Sequence, residues 1–135
     1  MIVYTAMLDT NIVSDIIRNP QGRAAGRLAD RDGEGVCLSI ITAAELRYGA
    51  AKKGSARLTS RVEAILATLD VLAFDVPADA RYGSLRAELA AAGTPIGSTD
   101  LFIAAHALAM NVTLITHNIS EFRRVRGLNV ETWLT

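Results

Sequence analysis

Met7-Leu8-Asp9-Thr10-Asn11 is the stretch around which the chain is organised. An apolar run, Ile2 to Leu8, stops abruptly at Asp9, and a second apolar run, Ile12-Val13 to Ile16-Ile17, follows at helical spacing. That pattern predicts a strand, a tight turn and a helix, with a carboxylate at the carboxyl end of the strand. Open α/β sheets bind ligands at that place. Capping of the helix by Asp9 or Thr10 explains the same residues without any function. The balance changes because further carboxylates occur later in similar settings.

Working outward, Gln21 to Asp32 reads as a modest helix, Gly33-Glu34-Gly35 as a turn and Val36 to Ile41 as a second strand. Thr42 then opens a helix, Ala43 to Lys53, which Gly54 stops. Leu58, Val62, Ile65, Leu66 and Leu69 form an apolar stripe at helical spacing. Val71 to Val76 is a third strand, Pro77 starts the next helix and Gly93 ends it. After the loop Gly93 to Gly97, Ser98 caps a buried helix, Thr99 to Met110; Val112 to Thr116 is a fourth strand and Val130 begins a short fifth. Strands alternating with helices predict a parallel sheet covered on both faces. Right-handed crossovers then bring every strand's carboxyl end to one edge.

A length of 135 residues predicts a single domain, 1–135. Lys and Arg total 14 against 14 Asp and Glu, so the chain lacks the global basic footprint of a non-specific nucleic-acid binder. Zero net charge also weakens one defence against association, which favours a partner or an oligomer. Cys37 is the only cysteine, which excludes an internal disulfide and fits a buried, inert thiol. Asp9 and Asp15 interrupt the start, so no secretory signal is expected and the chain is placed in the cytoplasm. Leu101 to Ser120 carries no Asp, Glu, Lys or Arg. His106, Asn111 and Thr113 break that run, and its periodicity changes midway, which predicts a buried helix and strand and no membrane span.

Asp9 follows the first strand, Glu45 the second, and Asn118 and Glu121 the fourth, while Asp100 lies in the first turn after the Gly-Pro loop. Each has a structural explanation. Thr42-Ala43-Ala44-Glu45 and Asn118-Ile119-Ser120-Glu121 read as capping boxes, and Asp100 suits the dipole of a helix start. Together those explanations leave unexplained why Asp100 begins so apolar a helix. Converging carboxylates repel unless a cation intervenes. An all-oxygen set suits a hard divalent ion, Mg²⁺ or Mn²⁺, and the lack of sulfur or clustered imidazole argues against zinc.

Met7 to Asn11, Thr42-Ala43-Ala44-Glu45-Leu46-Arg47-Tyr48-Gly49, Gly93-Thr94-Pro95-Ile96-Gly97-Ser98-Thr99-Asp100 and Leu114-Ile115-Thr116-His117-Asn118 resemble the PIN-domain ribonucleases, above all the VapC-type toxins of bacterial toxin–antitoxin pairs. The resemblance runs on through Glu121-Phe122-Arg123-Arg124-Val125 and Val130-Glu131-Thr132-Trp133. It implies a three-layer α/β/α sandwich with a mostly parallel central sheet. It also implies a Mg²⁺-dependent endoribonuclease, with Asp9, Glu45 and Asp100 as the acidic triad and metal ligands. Many PIN domains place an Asp after the last core strand; this chain has Asn118 there and Glu121 one helical turn on, an arrangement found in toxins of this type. Asn118 then orients water or a ligand, and Glu121 supplies the fourth carboxylate.

The implied reaction is attack of an activated water on structured RNA, a tRNA anticodon loop being a family-level expectation. It leaves 5′-phosphate and 3′-hydroxyl ends. Implied partners are the RNA, a cognate antitoxin that blocks the active site, and a second copy in a homodimer. Arg47, Lys52, Lys53 and Arg86 are the candidate phosphate holders, and Thr10 and Thr116 the candidate hydrogen-bond donors to the carboxylates. His106 reads as a hydrogen-bonded core residue. The alternative is a phosphoacceptor receiver domain, which also gathers acids around Mg²⁺. It normally adds a Lys after its last core strand, where this chain has none.

Overall fold

The computed structural model describes residues 2–135. Over them the chain runs β1 (Ala6–Leu8), α1 (Thr10–Arg18), α2 (Arg23–Asp30), β2 (Val36–Ser39), α3 (Ile40–Lys53), α4 (Ala56–Thr68) and β3 (Asp70–Leu72). It continues through α5 (Ala78–Ala91), α6 (Ser98–Met110), β4 (Thr113–Ile115), α7 (Ile119–Phe122) and β5 (Val130–Glu131). The sheet has the order β3-β2-β1-β4-β5, and every pairing is parallel.

Alternation along these short apolar strands builds the layers, because successive side chains point to opposite faces. Ala6, Leu8, Val36, Leu38 and Ile115 pack with Ile12, Val13, Ile16, Leu46, Val62 and Leu66, so α1 to α4 cover one face. Met7, Cys37 and Leu114 pack with Leu85, Leu89, Leu101, Ile103 and Phe122, so α5 to α7 cover the other. The three-layer sandwich expected from the sequence is the one observed. Trp133, 1% exposed, closes the first layer near the carboxyl terminus, with the guanidinium groups of Arg27 and Arg31 each 5.7 Å from its ring centre.

Strand order decides where a site can form. β2 and β3 lie successively to one side of β1, and β4 and β5 to the other. The crevice at the carboxyl ends of β1 and β4 is therefore a topological switch point. A receiver-like sheet has the order 2-1-3-4-5, so the observed order overturns the receiver alternative.

Several expected boundaries move. The first strand is shorter than Ile2 to Leu8, with Ile2 and Val3 67% and 66% exposed. β2 starts only at Val36, after the left-handed Gly35 (φ +71°), whose carbonyl already accepts from the N–H groups of Thr5 and Ala6, so earlier residues have no partner strand. The third strand stops at Leu72, because Phe74 turns out of the sheet to pack edge-on against Phe102 and His106. The sequence from Leu101 to Ser120 divides into helix and strand as expected, with Asn111 left-handed (φ 55°) at the helix end. Among the described residues no helix is long and apolar enough to cross a membrane.

Candidate active site

β1 ends at Leu8, and Asp9 follows in extended conformation as the N-cap of α1, its Oδ1 accepting from the Ile12 N–H at 2.9 Å. The capping explanation is therefore correct for Asp9, but it uses one oxygen only. The residue is 3% exposed, and burial pushes its carboxyl above the ordinary range. Hydrogen bonding from Thr116 and the Ile12 and Asn11 backbone pulls it back, and the charge of Glu45 raises it further.

Glu45 departs from its structural explanation. α3 begins at Ile40 and is capped by Ser39, whose Oγ accepts from the Ile41 N–H at 3.1 Å. Thr42 and Glu45 are thus inside the helix, and the expected capping box does not form; the buried Thr42 hydroxyl has no hydrogen-bond partner. The helix starts early because Ser39 ends a strand with its hydroxyl already held by the Nδ1 of His106, 2.7 Å away. Glu45 is turned instead toward α1, where the Thr10 hydroxyl donates to its Oε1.

Asp100 sits in the first turn of α6, whose N-cap is Gly97 without any side-chain cap, so Ser98 does not play the capping role expected of it. Burial, a hydrogen bond shared with Glu121, and the charges of Glu121, Asp9 and Glu45 push Asp100 up to about 7. The second capping box is also absent. Asn118 precedes α7 without a side-chain cap bond and instead donates from Nδ2 to Glu121 Oε2 at 2.6 Å. Glu121 Oε1 accepts from the Gly97 N–H at 3.2 Å. The backbone N–H of Asn118 goes to Thr116 Oγ1.

The structure thus gathers Asp9, Glu45, Asp100, Asn118 and Glu121 at the carboxyl edge, linked by these hydrogen bonds and charges. Among the described residues no three His, Cys, Asp or Glu side chains close on a single point. Asp9, Glu45 and Glu121 are each turned to a protein donor, which relieves part of the repulsion, while Asp100 meets the Glu121 carboxylate. The donor set, carboxylate and amide oxygens without sulfur or imidazole, fits a hard divalent cation.

His106 is 1% exposed and lowered by burial, as a core residue. The Ala73 backbone bonds one ring nitrogen, leaving Nδ1 to accept from the Ser39 hydroxyl in the neutral ring. Of the candidate phosphate holders, Arg47 forms a two-point pair with Glu63 (2.9 Å each) and Arg86 donates to the Tyr82 hydroxyl. Lys52 lies over Tyr48, and Lys53 lines a groove of about 170 Å³ that runs from Thr10 and Glu45 between α1, α3 and α4. Sequence reasoning missed the Gly97 N–H and Arg18 at this edge, and the lone His117 carried only a weak signal there. A glycine has no side chain to signal a donor, and Arg18 reads as an ordinary helix-end cation.

The PIN domain family model matches residues 6–128. The chain is 39% identical over 128 residues to a tRNA(fMet)-specific endonuclease VapC of Shigella flexneri, covering 94% of this chain and 96% of that one. It is 39% identical over 129 residues to a ribonuclease VapC2 of Rickettsia felis, again covering 94% and 96%. Among solved structures, VapBC2 of Rickettsia felis bound to a DNA fragment from their promoter superposes with a TM-score of 0.89 at 37% identity, covering 96% of this chain and 98% of that one.

Proposed function

The chain belongs to the PIN-domain family and to its VapC ribonucleases, and from there we propose that it is the toxin of a toxin–antitoxin pair, a Mg²⁺-dependent endoribonuclease that cuts structured RNA in the cytoplasm. The observation that carries this reading is the convergence of Asp9, Glu45, Asp100 and Glu121 on one edge, where Asp100 feels the charges of the other three and Asp9 that of Glu45. Structural acids have no reason to accept that repulsion.

In this reading Asp9, Glu45 and Asp100 hold the ion, Mg²⁺ with Mn²⁺ as substitute. When bound, it would lower the pKa of water and offset charge on the phosphate. The chain's own groups prepare the site. The Ile12 N–H fixes Asp9, the Thr10 hydroxyl aims Glu45, and the Gly97 N–H with Asn118 holds Glu121 against Asp100. Without an ion, burial and the neighbouring Glu121 push the Asp100 carboxyl up to about 7, and Asp100 would give up that proton on holding the cation. Water attacks the phosphodiester and the ribose 3′-oxygen leaves, giving 5′-phosphate and 3′-hydroxyl ends. The naming of the Shigella relative makes initiator tRNA the first substrate to try.

The antitoxin is proposed to lie in the groove beside Glu45. Ile17, Leu46, Leu58 and Val62 line that groove, with Arg18 and Lys53 at its rim. An apolar wall beside an acidic pocket suits an amphipathic segment that ends in an Arg or Lys. A homodimer is part of the same proposal, and sedimentation of the purified chain tests it. The deciding experiment incubates the protein with total cellular RNA, in Mg²⁺ or in chelator, and maps the ends. Cleavage that persists in chelator, or 2′,3′-cyclic phosphate ends, sinks the mechanism. Expressed alone, the chain should arrest growth, and co-expression of the neighbouring antitoxin should restore it.

A further inference from the structure

Beside the acidic edge lies a trough of about 380 Å³ lined by Asn11, Asp15, Arg18, His117, Asn118 and Leu134. It shares Asp15, Arg18 and Leu134 with a wider depression of about 590 Å³ that continues to Arg23. The trough touches the site through Asn118, which holds Glu121, and through Asn11, two residues from Asp9.

A polyanion approaching four carboxylates is repelled, and a chain of zero net charge offers no general attraction. A bound divalent ion would offset that repulsion at the carboxylates themselves, and a protein cation beside them would hold the flanking phosphate. Among the described residues the ion pairs are Arg27–Glu131 and Arg47–Glu63, and Arg124 donates to the Pro95 carbonyl. Arg18, exposed on the last turn of α1, is in none of these pairs. The nearby Asp15 carboxylate accepts from Asn19 Nδ2 at 2.9 Å. Arg18 also borders the groove that reaches Thr10 and Glu45, so it stands between the two surfaces. Across the trough the His117 ring is exposed, and Leu134 supplies an apolar patch.

We propose that this trough seats the nucleotide of a single-stranded RNA segment next to the scissile phosphate, with Arg18 on its phosphate and His117 against its base. The volume suits a nucleotide. Guanidinium binds phosphate through two hydrogen bonds, and an imidazole face stacks on an unpaired base of any sequence. The lining favours RNA over an apolar peptide: Arg18, His117 and the amides of Asn11 and Asn118 contrast with the apolar groove on the other side of Arg18, and the Asp15 carboxylate that shares the trough is engaged by Asn19. This inference rests on the nuclease reading.

The test uses a synthetic oligoribonucleotide spanning one cut mapped in total RNA, or a labelled hairpin from initiator tRNA if no cut is found. Cleavage in Mg²⁺ and metal-free binding are measured separately. Arg18→Ala should raise KM and weaken metal-free binding about tenfold, the loss of one charge-assisted contact, with kcat little changed. It should also flatten the salt dependence of binding by about 0.7 in log–log slope. His117→Ala should weaken binding where His117→Phe does not, because only the latter keeps a stacking face. Arg81→Ala, which removes the same charge from α5, should change neither. A wild-type chain that cleaves nothing, yet loses RNA binding on Arg18→Ala, would sink the nuclease reading and keep the trough. Unchanged binding and KM in Arg18→Ala and His117→Ala would overturn the trough and leave the nuclease standing. So would variants that weaken only inhibition by the antitoxin, which would assign the trough to that protein.

Discussion

Asp100 carries the heaviest electrostatic load at the carboxyl edge: half-buried, hydrogen-bonded to Glu121, and facing Asp9 and Glu45. Its folded pKa of about 7 stands above the ordinary carboxylate value. Between those two values the unfolded chain ionises while the folded one keeps its proton. The contribution of Asp100 to stability is therefore fully present in acid and is lost as pH rises through about 7, in metal-free buffer. Urea midpoints measured in chelator from pH 4 to 8 should fall for the wild type relative to Asp100→Asn, and an equal slope in both would refute the assignment. Glu45 makes a second prediction. With Ser39 capping α3, Glu45 has no capping work, so Glu45→Gln should cut Mg²⁺-dependent cleavage by about a hundredfold or more while the thermal midpoint stays close to wild type. A fully active variant would leave Glu45 with a packing role only. His117 illustrates a residue with a weak sequence signal, since a lone exposed imidazole acquires meaning only from the trough it borders.

At the scale of elements, the junction of β2 and α3 is the point where local sequence misleads. Thr42 with Glu45 three residues later spells a capping box, yet the helix is already under way at Ile40. What outweighs the local signal is tertiary: Ser39 serves both the Ile41 N–H and the buried imidazole of His106 on α6. Ser39→Ala removes the cap and leaves a buried ring nitrogen unpaired, so it should cost about 1–3 kcal/mol in chemical denaturation. Cleavage per folded molecule should remain near wild type; a collapse of kcat without loss of stability would mean that the junction acts in the reaction. The loop before α6 is also held by tertiary contacts, the Gly97 N–H on Glu121 and Arg124 on the Pro95 carbonyl. α7 thereby couples the position of Asp100 to the segment after β4.

For the whole molecule, strand order and charge act together. The order β3-β2-β1-β4-β5 opens its crevice between β1 and β4, and the carboxylates gather there in a chain of zero net charge. A divalent ion that binds this folded edge and not the unfolded chain stabilises the fold by mass action, about 2.7 kcal/mol at a hundred times its Kd. The thermal midpoint should rise with Mg²⁺ or Mn²⁺, and Asp9→Asn and Asp100→Asn should abolish the rise together with cleavage. A wild-type midpoint indifferent to both ions would remove the metal from the proposal.

The sequence by itself determined the layers and the edge. Short apolar strands, each followed by a helix, leave a parallel sheet as the way to bury both faces, and right-handed crossovers send Asp9, Glu45 and Asn118 to the same side. Those are consequences of local periodicity and chain handedness, which a sequence carries residue by residue. Only the tertiary structure decided which polar residues cap and which converge. Asp9 does both, while Glu45, placed inside α3 by the Ser39 cap, turns to Thr10, and Glu121 accepts from Gly97 as well as from its neighbour Asn118. Hydrogen-bond choice is a competition among all donors within about 3 Å, and which groups come that close is settled by packing between helices far apart in the chain.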